Sequence, residues 1–195
     1  MRIRAVVFDM DGTLVESQLD YAAMKREMEL PPDEPVLESL ARIVDPDRLA
    51  RCHGILAVHE RLGAERATWI DGAEPLLGGL RAAGLHLGIV TRNSRPASDL
   101  VLTRLDCPIR DVMTRDDAPH KPDPTAILNL CRRWDVGPHE CVMVGDYLFD
   151  ILAGRAAGCG TILFAPDERP DYAHEADHTV SHLLEVGRLI ATSRS

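Results

Sequence analysis

Four short segments carry side chains that could handle a phosphate group or a metal ion. The first is Asp9-Met10-Asp11-Gly12-Thr13. In extended chain, residues i and i+2 project to the same side, so the Asp9 and Asp11 carboxylates can converge on one point. Gly12 permits a tight turn behind them, and backbone amides in such a turn can cradle an anion. Two carboxylates placed this way could bind Mg²⁺, or divide the work of nucleophile and general acid–base. The plainer alternative is an Asp-Gly turn with Thr13 as a cap. The second segment is Gly145-Asp146-Tyr147-Leu148-Phe149-Asp150. Asp146 and Asp150 are four apart, so one helical turn brings them to nearly the same face. Oxygen ligands at a strand end suit Mg²⁺, although two aspartates at a helix start also serve as cap and dipole partner.

Lys121 stands in His120-Lys121-Pro122-Asp123-Pro124, where two prolines stiffen the loop. Of 22 cationic side chains only Lys25 and Lys121 are lysines, so the chain keeps this compact point charge against its own preference for arginine. An ammonium held on a braced loop is suited to neutralise a phosphate; a solvated surface lysine is the alternative. Thr91, in Val90-Thr91-Arg92-Asn93, places a hydroxyl and an amide after an apolar run. Ligands of open α/β sheets bind at such strand ends, but Thr and Asn are also ordinary loop residues.

These segments need a scaffold, and the apolar pattern supplies one. Residues 3–8 form a nearly unbroken apolar run, the pattern of a strand buried on both faces. Similar runs occupy 85–90, 141–144 and 161–165, with a weaker one at 111–113. Helical patterns lie between them: 74–83 ending at Gly84, 96–105 after Ser94, a helix opened by Asp123-Pro124 and running to Trp134, 148–157 ending at Gly158, and 182–191. Alternating strands and helices predict a parallel sheet covered on both faces. Residues 16–71 break that rhythm and read as helices only, over 19–30, 34–44 and 46–63. Tyr21, Met24 and Met28 share one face there, as do Leu37, Leu40 and Ile43.

Composition narrows the class. The chain has 195 residues and a net charge of −9, with 45% hydrophobic and 27% charged residues, an ordinary globular balance. No apolar run is long enough to span a bilayer and no leader pattern opens the chain, so the expectation is a cytoplasmic protein without a membrane partner. The acidic balance argues against nucleic acid. Five widely spaced cysteines without a Cys-x-x-Cys predict reduced thiols rather than a zinc site or disulfides. The eight histidines, among them His53, His59, His174 and His178, show no metal spacing. Neither a Gly-x-Ser-x-Gly elbow nor a phosphate-binding glycine loop is present.

Taken together and in order, Asp9-Met10-Asp11-Gly12-Thr13-Leu14, Thr91, Lys121-Pro122-Asp123-Pro124 and Gly145-Asp146 with Asp150 resemble the haloacid dehalogenase superfamily. The likeness is to its phosphoglycolate phosphatase-like and β-phosphoglucomutase-like branch. The resemblance implies a three-layer, Rossmann-like α/β core over 1–15 and 72–195, with the first strand beside the one preceding Asp146. It also implies a small, all-helical cap over 16–71, shorter than in fuller relatives. Asp9 would be the nucleophile that becomes an aspartyl phosphate, and Asp11 the general acid–base. Thr91 and Lys121 would hold the phosphoryl oxygens, with the amides of Met10, Asp11 and Arg92 nearby. Mg²⁺ would be held by Asp9, the Asp11 backbone carbonyl, Asp146 and Asp150, the last directly or through water. The implied substrate is a small phosphorylated metabolite, phosphoglycolate among the candidates, acted on by a monomer or homodimer. A sugar phosphomutase shares these motifs. A receiver-type phospho-acceptor module shares the Asp, Thr and Lys, but not the insertion or the Gly145–Asp150 group.

Overall fold

The computed structural model describes residues 2–192. The chain starts with β1 (Ala5–Phe8), whose four residues are all buried, as its unbroken apolar run predicts. A short strand β2 (Val15–Glu16) leads into three helices, α1 (Tyr21–Glu27), α2 (Val36–Leu40) and α3 (Pro46–Arg66). The chain returns through β3 (Thr68–Trp69). The alternating part follows: α4 (Ala73–Ala82), β4 (His86–Val90), α5 (Arg95–Arg104), β5 (Asp111–Met113), α6 (Thr125–Trp134), β6 (Cys141–Gly145), α7 (Leu148–Ala157) and β7 (Gly160–Phe164). Strand β8 (His178–Val180) and α8 (Leu183–Thr192) complete it.

The main sheet has six parallel strands in the order β5-β4-β1-β6-β7-β8. Side chains of β1 alternate between its two faces. Val6 and Phe8 pack with Leu76, Leu77, Val101 and Val186 from α4, α5 and α8. Ala5 and Val7 pack on the other face with Ile127, Leu130 and Ala153 from α6 and α7. The result is the three-layer α/β arrangement of the expectation. Because β1 lies between β4 and β6, the carboxyl ends of three neighbouring strands meet at one edge. Phe8 is in register with Ile89 on one side and Val144 on the other.

Several local expectations change. Residues 16–71 are not helical throughout: β2 and β3 form an antiparallel ribbon at the stem of the insertion, Val15 opposite Trp69 and Glu16 opposite Thr68. Two-residue strands are too short to leave an alternating pattern. The first inserted helix is shorter than 19–30, because the Asp20 side chain caps it through the Ala23 amide and Glu29 adopts a positive φ beyond its end. The 34–44 pattern yields only Val36–Leu40, which starts after Pro35, while the third helix extends past Gly63 to Arg66. Met24 and Met28 are buried as expected, but Tyr21 is 53% exposed and faces a cavity. Ser94 does not cap α5 with its side chain; its hydroxyl instead donates to Glu60 of α3. β8 is absent from the expected strands, since His178-Thr179-Val180 is too short and polar to stand out.

Candidate functional site

Strand β1 runs directly into Asp9, whose amide donates to the Val144 carbonyl of the neighbouring β6 at 2.8 Å. That bond carries Asp9 to the mouth of the β6–α7 turn. There Asp146 follows the strand and Asp150 opens the helix as its N3 residue, accepting from the Tyr147 amide at 3.0 Å. One carboxylate oxygen from each of Asp9, Asp146 and Asp150 lies within 4.8 Å of the other two. Two glycines make the approach possible. A Cβ on Gly12, which has a φ of +78°, would fall on the Asp146 carboxylate, and a Cβ on Gly145 would fall on Asp150.

Lys121 is drawn into this cluster. Its side chain is only 1% exposed, and Nζ lies 2.5 Å from Asp9 Oδ1 and 2.6 Å from Asp150 Oδ1. Burial alone would lower its pKa, but the Asp150 and Asp9 carboxylates outweigh burial and raise it, so the ammonium stays charged. One cation among three carboxylates leaves excess negative charge. Burial, then repulsion from Asp9 and Asp150, pushes Asp146 up to about 8, while the Thr13 hydroxyl donating at 3.0 Å pulls the other way. Asp150 is held at about 6, raised mainly by burial and restrained by Lys121. A buried group of oxygen donors with surplus negative charge fits a hard divalent cation.

Asp11 faces a different environment. Asn93 Nδ2 donates to its Oδ2 at 2.7 Å. Burial pushes its pKa up to about 7 and Asp9 adds to that rise; the Ser17 hydroxyl, Lys121 and Asn93 act in the opposite sense. A carboxyl poised there exchanges protons readily near neutrality. Thr91 is buried, its amide bonded to the Met113 carbonyl and its Oγ accepting from the Asn93 amide at 3.1 Å. Thr91 and Lys121 therefore line the same small chamber as Asp9, Asp11 and Asp150.

Arg92 is placed otherwise than a phosphate-binding side chain would be. Its guanidinium reaches across to α2, donating to both Glu38 oxygens at 2.8 and 2.7 Å and to the Lys121 carbonyl, and it lies over the Phe149 ring. The backbone amide is what Arg92 can still offer an anion. A second bridge joins Arg115 to Glu60 of α3, which is buried and also accepts from Ser94. Glu38, Glu60 and Arg115 escape a sequence reading because each finds its partner more than fifty positions away. Tyr147 and Phe149 lie within the Gly145–Asp150 run, and that position is the available signal.

Between the inserted helices and this edge of the sheet lies a half-open cavity of about 380 Å³. Its walls include Leu19, Tyr21, Met24, Leu37, Leu56 and Phe149. It shares Arg92, Asn93, Tyr147 and Phe149 with the aspartate chamber.

Comparison with known proteins gives the class to which this α/β sheet and its carboxylate edge belong. The family model for haloacid dehalogenase-like hydrolases matches residues 3–158, and the chain belongs to that family. It is 31% identical over 210 residues to a haloacid dehalogenase-like hydrolase domain-containing protein of Arabidopsis thaliana, covering 98% of this chain and 85% of that one. A phosphoglycolate phosphatase of Chromobacterium violaceum is 31% identical over 213 residues, with 94% and 95% of the two chains covered. An N-acetylmuramic acid 6-phosphate phosphatase of Pseudomonas aeruginosa is 30% identical over 220 residues, with 95% and 94% covered. Among solved structures, a phosphatase of the same family from Thermococcus onnurineus superposes with a TM-score of 0.70 at 25% identity over the full length of both chains. A hydrolase from Pseudomonas syringae reaches 0.81 at 22% identity, covering 98% of this chain and 99% of that one, and so shares the fold. The chain is thus an enzyme of the haloacid dehalogenase-like hydrolases, and several of its curated relatives are named phosphatases. No helix among the described residues is long and apolar enough to cross a membrane.

Proposed function

We propose that the protein is a Mg²⁺-dependent phosphomonoesterase that hydrolyses a small phosphorylated metabolite through an acyl phosphate on Asp9. The observation that carries this reading is the Lys121 ammonium held 2.5 Å from Asp9 and 2.6 Å from Asp150, beside Thr91 and Asp11. Lys121, the Thr91 hydroxyl and the amides after β1 and β4 would receive the three non-bridging phosphoryl oxygens, leaving Asp9 in line with the ester bond. Asp9 attacks phosphorus, and Asp11, whose pKa burial raises to about 7, gives its proton to the leaving oxygen. The same carboxylate then takes a proton from the water that splits the acyl phosphate. Asn93 holds Asp11 in position for both transfers. Asp9, Asp146, Asp150 and the Asp11 backbone carbonyl would hold Mg²⁺, which when bound offsets the repulsion between these carboxylates and the anionic substrate.

Residues 16–71 act in this reading as a cap, and the cavity beneath it would receive the leaving group. Arg92 and Arg115 reach that cavity, but Glu38 and Glu60 already neutralise them. Lys25, Asp33 and Glu34 also line it, the Lys25 ammonium donating to the Pro32 carbonyl, so the lining suits a leaving group larger than glycolate that combines apolar surface with polar groups. The test is phosphate release from a panel of phosphorylated metabolites, including phosphoglycolate, sugar phosphates and an aryl phosphate, with Mg²⁺ and with excess chelator. Turnover is expected with Mg²⁺ only, and Asp9→Asn is expected to reduce it by on the order of 10⁴-fold or more. Undiminished turnover by the variant or in chelator overturns the assignment. A kcat/KM highest for phosphoglycolate overturns the reading of the cavity alone.

A further inference from the structure

A second group of ligand-bearing side chains plays no part in that chemistry. Cys131 on α6, Cys141 at the start of β6 and Cys159 in the turn between α7 and β7 have Sγ atoms that all lie within 4.8 Å of one another. They are 2%, 0% and 8% exposed, respectively. Their backbones are fixed from three directions: the Cys131 carbonyl accepts from Val136, the Cys159 amide donates to Gly154 at 2.9 Å, and β6 is paired on both sides. The side chains packed around them are apolar, among them Ala5, Val7, Leu130, Trp134, Ala153 and Ala157. Among the described residues the group has three members, with no histidine or carboxylate joining it.

We propose that this trio is a three-coordinate binding site for a soft, thiophilic cation, with Cu(I) the ion it suits best. Thiolate ligands select Cu(I), zinc and iron–sulfur clusters among the common metals, and the clusters call for four cysteines. Structural zinc calls for a fourth ligand, which this group does not provide. A trigonal centre with bonds of about 2.3 Å sets its sulfurs about 4.0 Å apart, so the observed spacing needs only small side-chain rotations. Bound Cu(I) would displace the thiol protons to solvent, since the thiolate is the metal ligand. Three thiols serving only as small apolar fillers would share the burial but bind nothing.

The experiment is an anaerobic titration of the reduced full chain, with Mg²⁺ in excess, against Cu(I) buffered by bathocuproine disulfonate. The expected result is withdrawal of one Cu(I) per chain, with X-ray absorption showing three sulfur neighbours at about 2.3 Å. Cys131→Ala is expected to weaken uptake by at least on the order of tenfold. Cys52→Ala, which alters a thiol on α3 among the inserted helices, is expected to leave it unchanged. Failure to draw Cu(I) from the chelator, nitrogen or oxygen in the first shell, or wild-type affinity in Cys131→Ala overturns the proposal. Where circular dichroism shows that Cys131→Ala has not folded, the absorption spectrum of the wild type decides.

Discussion

Strand β6 joins two triads of potential ligands. It begins at Cys141, in the sulfur group, and ends at Gly145, next to Asp146 in the oxygen group. Five residues of extended chain separate the two by about 16 Å. Both triads gather side chains from separate elements, and both are largely buried, yet their surroundings differ. The aspartates share a chamber with Lys121 and open toward a cavity; the thiols are enclosed by aliphatic groups and Trp134. The carboxyl edge of a parallel sheet gathers turns and helix starts, which admit polar ligands. The opposite edge of this sheet is closed by packing. Access and charge, rather than the number of ligand atoms, separate the site proposed for turnover from the one proposed to hold an ion.

The sharpest way to break this contrast is Asp11→Asn. It keeps the shape of the side chain and removes its proton, so turnover should fall by on the order of 10²–10⁴-fold. With an aryl phosphate, whose leaving group needs little protonation, the variant should accumulate phosphate on Asp9, visible by intact-protein mass spectrometry after acid quench. Its Cu(I) uptake should match the wild type. Rapid release of phosphate by the variant, without a phosphorylated intermediate, would remove Asp11 from the mechanism.

Lys121→Arg tests whether the oxygen triad depends on a compact charge. The Nζ position between Asp9 and Asp150 has no room for a planar guanidinium. A loss in kcat/KM on the order of 10²–10³-fold is expected in a folded variant. Full activity would mean that charge alone suffices. Gly12→Ala should have the next largest effect. Its Cβ meets the Asp146 carboxylate, so Mg²⁺ affinity measured by calorimetry should fall on the order of 10–100-fold.

The smallest expected effect is in the pH dependence of stability. Asp146, Asp11 and Asp150 are raised from 3.8 to about 8, about 7 and about 6. An acid whose pKa is higher folded than unfolded binds more protons in the folded state between those two values. The metal-free protein should therefore lose stability as pH rises from about 4 to about 8 and level off above that. Lys121 and Asp9 face the same cluster, and Lys121 limits the loss. Mg²⁺ should raise the melting temperature more at pH 8 than at pH 5. A metal-free melting temperature that climbs across this range would show that burial of these carboxylates is not what governs the site.

The two triads also differ in how far the sequence announces them. Asp9, Asp11, Thr91 and Asp146 follow apolar strands, Lys121 sits in a braced loop and Asp150 stands one turn beyond Asp146, but each has a plainer local reading, and it is their order, matched to a known family, that gathers them at one edge of a sheet. The sulfur triad leaves no such trace. Cys131, Cys141 and Cys159 lie 10 and 18 positions apart on different elements, and only the β1–β6–β7 pairing brings them together. The same limit hides the Glu38–Arg92 and Glu60–Arg115 bridges, whose partners lie on the inserted helices and the sheet edge. The six-stranded core is legible except for β8. The β2–β3 ribbon is not, because its pairing depends on where a long excursion returns rather than on the residues that form it.

The place of β1 between β4 and β6 has a consequence for how the molecule is made. Ala5 pairs with Cys141, so one side of β1 lacks its neighbour until about 136 further residues have been synthesised. Until then that side is a bare edge carrying unpaired amides and carbonyls, able to take up a strand from another nascent chain. Asp9 gains Asp146 and Asp150 only when residues 141–150 arrive, so a fragment released before then holds one carboxylate of the three.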